Sequence, residues 1–364
     1  MTEPRPLSGL ERIQPYRPGA QVASAKARLA ANENPLGPSP AALAAARDEL
    51  ARAQYYPAGG APELVAALAR QHDLPPENLI CGAGSDELIY MLNLAYAGVG
   101  GVVLYPRYGF AMYRLSALAC RAEPVAVALD AGERLSVADL KTKLAPAPRI
   151  LFFATPENPL GSVLPVETAR AAVAAVPSET LVVIDCAYAE YMPRDYQRDT
   201  LALAREHSNV VMLRTFSKAY GLAGLRIGWA YAAAPVIETL HRVRHPFNVS
   251  RMAAAVAVAA LGDQEWIRKS AEHNNAARLH AEQRLRDLGL EPRGEGGNFL
   301  RFDLPASVAG DADAAEAALA GEGVLLRSLG SYGLPRTLRV TLGRDDEMNV
   351  AFAALERLLA SAHA

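Results

Sequence analysis

The sequence predicts an α/β fold: a large domain built on a mostly parallel sheet with helices on both faces, followed by a smaller α+β domain. Short aliphatic or β-branched runs alternate with Ala-rich helical stretches over most of the chain, the pattern of a covered parallel sheet. Past about residue 245 that alternation gives way to one long helical stretch, and three more strand patterns follow it. Strands are expected at 79–81, 101–105, 150–154, 181–185, 210–214 and 226–230, with helices at 62–71, 85–97, 165–176 and 200–206 between them. The long helical stretch covers 250–288, and strands at 298–304, 324–327 and 338–342 form the second sheet. Residues 1–45, with Asn32, Asn34, Pro35, Gly37, Pro38 and Pro40 and little periodicity, read as an extended arm joining the small domain. The large domain is then 46–248 and the small one 249–364.

Composition narrows the function. Of the 364 residues 51% are hydrophobic and 21% charged, enough apolar surface for a sizeable core and unlike a disordered chain. A formal charge of −2, from 37 basic and 39 acidic residues, gives no field to hold a polyanion, so nucleic acid is not an expected partner. The longest apolar run, 252–261, is about half of a membrane span, and no membrane partner is expected. Cys81, Cys120 and Cys186 are an odd number without metal or redox spacing, which fits a reducing cytoplasm. His241 and His245 are four apart but have no third ligand, so no metal site is expected.

Lysine is scarce, and that singles one out. Only Lys26, Lys141, Lys143, Lys218 and Lys269 occur, and Lys218 alone follows a strand in a stretch with Thr215 and Ser217 before it, Gly221, Gly224 and Gly228 after it, and Arg226 nearby. Small residues and hydroxyls around one Lys and one Arg suit an anion approached closely by backbone. Asp185 ends the apolar run Leu-Val-Val-Ile-Asp, where α/β sheets place ligand-binding groups. Tyr188 follows it, and Asn158 lies just beyond the strand at 150–154.

A strand-end carboxylate, a tyrosine, an amide and a lysine able to form a Schiff base are the groups that pyridoxal 5′-phosphate requires. The carboxylate keeps the pyridinium nitrogen protonated, so the ring acts as an electron sink. Tyrosine and asparagine can hydrogen-bond the phenolic oxygen. Gly82-Ala-Gly-Ser-Asp-Glu87, between a strand and a helix, offers Gly84, Ser85 and Asp86 at a helix N-terminus for the phosphate. It departs from a dinucleotide fingerprint at Glu87, where a third glycine belongs, and lacks the acid about 20 residues on. Tyr108, after another strand, is expected to stack on the cofactor ring.

With these residues in place, the chain resembles the pyridoxal phosphate-dependent aminotransferases of fold type I, and among them the histidinol-phosphate aminotransferase family. The resemblance runs from Pro15-Tyr-Arg-Pro-Gly19 and Asn32-Glu-Asn-Pro-Leu-Gly37 through Tyr56-Pro57, Gly84-Ser-Asp-Glu87, Asn158-Pro159, Asp185-Cys-Ala-Tyr188 and Ser217-Lys218 to 338–343. It implies Lys218 as the Schiff-base lysine, Asp185 on the pyridinium, and Asn158 and Tyr188 on the phenolic oxygen. It further implies Tyr108 on the ring face, and Gly84, Ser85, Asp86 (chiefly through its backbone NH), Thr215, Ser217 and Arg226 around the phosphate. Arg339 resembles the arginine used for a substrate α-carboxylate. Tyr56 resembles the residue lent by the second subunit of a homodimer with shared sites, and Tyr16, Asn34 and Arg327 are further expected substrate contacts. Three departures stand out: Glu157 in Thr155-Pro-Glu-Asn-Pro-Leu-Gly161, Cys186 where Glu is usual, and Ala83 where Asn is usual.

The expected activity is a ping-pong aminotransferase in which Lys218 also moves the proton. Histidinol phosphate with 2-oxoglutarate is the first choice of substrates, because Arg327 and Arg339 offer two anionic contacts rather than one. An aromatic amino acid is the second choice. A pyridoxal phosphate-dependent decarboxylase of a phosphorylated amino acid stands as a different reaction class, and a ligand-sensing regulator would need a DNA-binding module that the sequence does not display.

Overall fold

In the computed structural model, which describes residues 4–5, 7, 9–13, 15 and 24–360, the aliphatic runs pair into a seven-stranded sheet. Its spatial order is Leu79–Gly82, Gly228–Tyr231, Val210–Thr215, Leu181–Asp185, Ile150–Ala154, Val102–Pro106, Glu123–Val127. Only Gly228–Tyr231 runs against the rest, antiparallel to both neighbours. Ile150–Ala154 and Leu181–Asp185 are buried at every residue, so both faces of the sheet need cover. Alternate side chains supply the two layers: Phe153, Ile184 and Met212 enter one core with Ala253 and Ala257, while Phe152, Val183 and Leu213 enter another with Leu88, Ile89 and Tyr113.

The edge strand Glu123–Val127 is not among the expected ones; Pro124 sits in it, which an edge tolerates. The helix expected at 85–97 is α-helical over Ser85–Leu92 and widens into a π-helical turn over Asn93–Ala97.

The stretch expected as one helix at 250–288 is two. Arg251–Gly262 ends at glycine, and the Asp263 carboxylate caps Gln264–Asp287 by accepting from the amide of Trp266 at 3.2 Å. The first of these packs Ala253, Val256, Ala257 and Ala260 into the larger core, although it lies beyond the expected boundary at 248. The second, 24 residues long, carries Ile267 in the larger core and Ala277, Ala281 and Leu285 in a smaller one.

That smaller core lies under an antiparallel sheet of Arg327–Ser328, Thr337–Thr341 and Phe299–Asp303. The strand expected at 324–327 is divided: Val324–Leu325 pairs in parallel with Ala27–Arg28, and Arg327–Ser328 pairs with Thr337–Thr341. The N-terminal segment makes this division, since Leu29 donates to the carbonyl of Leu325 and accepts from the amide of Thr341. The expected arm also ends sooner than 45, because the Ser39 hydroxyl caps a helix that begins at Pro40.

The two sheets meet through main chain. The amides of Glu295 and Gly296 donate to the carbonyl of Gly161 at 2.8 and 2.9 Å, and the buried Arg301 donates to the carbonyl of Leu160 at 3.0 Å while pairing with Glu133. Gly161 has φ +76°, and a Cβ there would fall 2.7 Å from Cα of Gly294. Gly161→Ala is therefore expected to destabilise the protein by about 1–3 kcal/mol, through a strained backbone and the forced separation of the two loops. Denaturant unfolding checks this, and an unchanged midpoint and slope would show that the contact is not needed.

Candidate active site

Three neighbouring strands end at one cavity. Ala154, Asp185 and Thr215 are their last residues, and a cavity of about 420 Å³ opens there, with Lys218, Arg226, Arg327 and Arg339 in its wall. Strand ends are the usual ligand position in an open α/β sheet, because the loops leaving them diverge.

Asp185 is almost wholly buried. Its Oδ2 accepts from the hydroxyl of Tyr113 at 2.9 Å, and its Oδ1 from the amide of Ala187 at 3.1 Å. Burial pushes the carboxyl up to about 6 against the pull of those two donors. Lys218 is half-buried; its Nζ donates to the carbonyls of Ala31 and Asn32, both at 3.3 Å. Burial, aided by the charge of Arg339, lowers the amine to about 8, so part of it is unprotonated near neutrality.

A second group of side chains lies at the start of the Ser85–Leu92 helix. Arg226 donates to the carboxylate of Asp86 at 3.1 Å and to the hydroxyl of Ser217 at 3.2 Å, and Ser217 and Thr215 are themselves hydrogen-bonded at 3.0 Å. Asp86 thus also engages Arg226 through its side chain, where its amide was expected to be its chief contribution. Gly84 sits at φ +85°, and a Cβ there would lie 2.4 Å from Nη2 of Arg226 and push the guanidinium aside. Arg226 itself sits at φ 52°, a conformation that a non-glycine residue holds only at a cost.

On the opposite wall, Arg339 donates from Nη1 to Oδ1 of Asn158 and from Nη2 to the carbonyl of Ala30 at 2.8 Å. Arg327 is its direct cross-strand partner, so both side chains leave the same face of the small sheet. Tyr188 is buried, and its hydroxyl accepts from Nδ2 of Asn32 at 2.9 Å. The carboxyl of Glu157 is buried too, accepting from the amides of Ala154 and Asn158. Burial first, and nearby Asp185 to a lesser degree, raise it to about 8, so it holds its proton at neutral pH.

Not every expected residue reaches this cavity. Tyr108 lines a neighbouring one instead, with Arg107 over its ring at 5.0 Å, and the aromatic wall beside Asp185 is made by Phe110 and Tyr113. The amide of Asn34 is spent on the carbonyl of Ala219 and the hydroxyl of Ser270, 2.8 and 3.0 Å away, which ties down the backbone next to Lys218. Tyr56 is 80% exposed and stacks on Phe247, outside the cavity of its own chain. Tyr16 lies outside the described residues. The expectation singled out neither Tyr113 nor the role of Asn32; a tyrosine on a helix reads as core, whereas Asn32 at least lies in a motif rich in Asn and Pro.

Residues 24–355 match the family described as aminotransferase class I and II. The chain is 41% identical to the histidinol-phosphate aminotransferase of Jannaschia sp. (strain CCS1), covering 99% of this chain and 100% of that one. It is 42% identical to that of Rhodospirillum centenum, covering 98% of each. Among solved structures, the histidinol-phosphate aminotransferase from Sinorhizobium meliloti in complex with pyridoxal-5′-phosphate superposes with a TM-score of 0.86 at 30% identity, over 93% of this chain and 92% of that one. The chain belongs to the class I and II aminotransferases, and within them to the family of the histidinol-phosphate aminotransferases.

Proposed function

We propose that this protein is a pyridoxal 5′-phosphate-dependent aminotransferase that takes the amino group of histidinol phosphate and delivers it to 2-oxoglutarate. The observation that carries the reading is a half-buried lysine of lowered pKa between a buried strand-end carboxylate and two cross-strand arginines.

The residues present suit the cofactor. Asp185 would hold the ring nitrogen, and Tyr188 and Asn158 the phenolic oxygen. The amides of Ser85 and Asp86, the hydroxyls of Thr215 and Ser217, and Arg226 would hold the phosphate, with Gly84 leaving room for the Arg226 guanidinium. When bound, the group supplies an electron sink for the carbon that bears the amine. Lys218 supplies the amine that anchors it, and Nζ then takes a proton from one carbon and returns it to another. An amine near 8 can do both at neutral pH. Asp185, near 6, is mostly ionised there and meets a positive ring nitrogen with a negative charge.

Substrate choice rests on Arg327 and Arg339. Directly opposite each other on one face of the small sheet, they bring two guanidinium groups to the cavity wall. Histidinol phosphate carries its phosphate on the carbon that replaces an amino acid's carboxylate, and 2-oxoglutarate carries two carboxylates. Both suit a double guanidinium wall, the first as a phosphate dianion and the second as a diacid, whereas phenylalanine brings a single monoanionic carboxylate. The names of the close relatives support the same choice.

The proposal extends to assembly and place. A homodimer with shared sites accounts for the exposed Tyr56–Phe247 stack, with Tyr56 reaching the partner's cofactor phosphate. We assign the chain to the cytoplasm and divide it into an arm, a large cofactor-binding domain and a small domain. Tyr16 is proposed to reach the substrate from the arm.

Lys218→Ala is expected to lose about 10³-fold or more in turnover while keeping its fold. Single-turnover absorbance of a preparation free of other aminotransferases checks this; normal turnover would refute the assignment. Mixing Lys218→Ala with Tyr56→Ala subunits is expected to restore activity, since a hybrid dimer holds one intact site. No recovery after verified subunit exchange would count against the shared site. Arg327→Ala is expected to lower kcat/KM for histidinol phosphate by about 10–100-fold, the worth of a charged hydrogen bond, and to leave phenylalanine within about threefold. A parent enzyme that prefers phenylalanine would overturn the substrate.

A further inference from the structure

We infer that Tyr113 is a positioning residue for this chemistry: its hydroxyl donates to Asp185 and fixes the carboxylate that would hold the cofactor's ring nitrogen. The inference rests on the proposed cofactor site, and its test separates the two.

The geometry is specific to the hydroxyl. Tyr113 is wholly buried at the start of the Ala111–Ala119 helix, its ring stacked on Phe152 at 4.9 Å and 8° and edge-on to Phe110 at 5.8 Å. Phe152 lies in the Ile150–Ala154 strand beside Asp185's own, so the ring cannot swing without disturbing the middle of the sheet. From that fixed ring the hydroxyl reaches Oδ2 at 2.9 Å, while the amide of Ala187 reaches Oδ1 at 3.1 Å. Each carboxylate oxygen thus has one protein donor, from opposite sides, and the plane of the group is set.

The donor's chemistry matters as much as its place. A lysine, arginine or histidine cation at this position would neutralise Asp185 and compete with the ring nitrogen for its charge. A phenol orients the carboxylate and leaves the charge in place. Burial, with Asp185 and Glu157 nearby, holds the phenol well above its usual pKa, so it remains a donor throughout the working range. The other titratable groups that face Asp185 are Glu157 from the turn after Ile150–Ala154, Asp86 from the Ser85–Leu92 helix, Lys218 and Tyr188. Among them, Asp86 and a deprotonated Glu157 would push the carboxyl toward protonation, and Lys218 and Tyr113 oppose this.

Tyr113→Phe keeps both ring contacts and deletes only the donor. The test is a cycle of four proteins, the parent, Tyr113→Phe, Asp185→Asn and the double variant, each stripped of cofactor and titrated with pyridoxal 5′-phosphate by equilibrium dialysis from pH 5 to 9. Tyr113→Phe is expected to weaken binding about tenfold and to move the acid limb of the binding curve upward, because a carboxylate short of one donor is easier to protonate. In the Asp185→Asn background the same change is expected to cost less than about twofold. A tenfold loss in both backgrounds would make Tyr113 a packing residue and overturn the inference, as would an unchanged affinity in the single variant. Asp185→Asn binding like the parent would instead overturn the cofactor site itself, and the inference with it. The ¹⁵N shift of ring-labelled cofactor gives a second readout: Tyr113→Phe should move it toward the unprotonated value, and an unchanged shift refutes the role.

Discussion

A carboxylate at the end of a wholly buried strand is the constraint around which the rest of the molecule is arranged. Leu181–Asp185 has no solvated face, so ionised Asp185 must be satisfied by the protein or by what the protein binds. Tyr113 and the amide of Ala187 meet part of that need, and the lysine and arginines across the cavity provide the positive field. Burial raises the proton affinity of Asp185 and lowers that of Lys218, which brings both groups toward neutral pH from opposite sides. One cavity thus holds a carboxylate and an amine shifted toward each other by the same exclusion of water, which suits the roles of charge partner and proton carrier proposed for them.

Around that charge, three separate parts of the chain are joined by short polar links. The N-terminal segment places Asn32 between Tyr188 and Thr341, and the amide of Asn298 donates to the carbonyls of Asn32 and Glu33. Arg339 spans from the small sheet to Asn158 at the edge of the large one. The Gln264–Asp287 helix enters both cores and holds them in register. The groups that line the cavity therefore come from distant stretches of sequence, yet few of them hang on a long unsupported loop.

How much of this was legible in the sequence follows from the range of each interaction. The alternating strands and helices could be read because periodicity is local. Lys218 and Asp185 could be singled out because one sits in a stretch of small residues and hydroxyls, and the other ends an apolar run. The division at Leu325 could not be read, since it depends on pairing with Ala27–Arg28 far away in the chain. The break at Gly262 and Asp263 did carry cap signals, but a long Ala-rich run on either side outweighed them. Tyr108 and Tyr113 show the limit most clearly: both follow the same strand, Tyr108 sits in a turn at φ 67°, and it is Tyr113 that reaches Asp185.

The contact of Gly161 with Gly294 bears on how such a protein can change. Main chain meets main chain there, with carbonyl and amides at 2.8 and 2.9 Å, so the closest approach of the Asn158 loop to the edge of the small sheet is made by backbone atoms. A substitution that adds a side chain at Gly161 acts on this spacing directly. Pocket walls can then vary while this approach between the two sheets is kept by backbone that no side chain of the cavity forms.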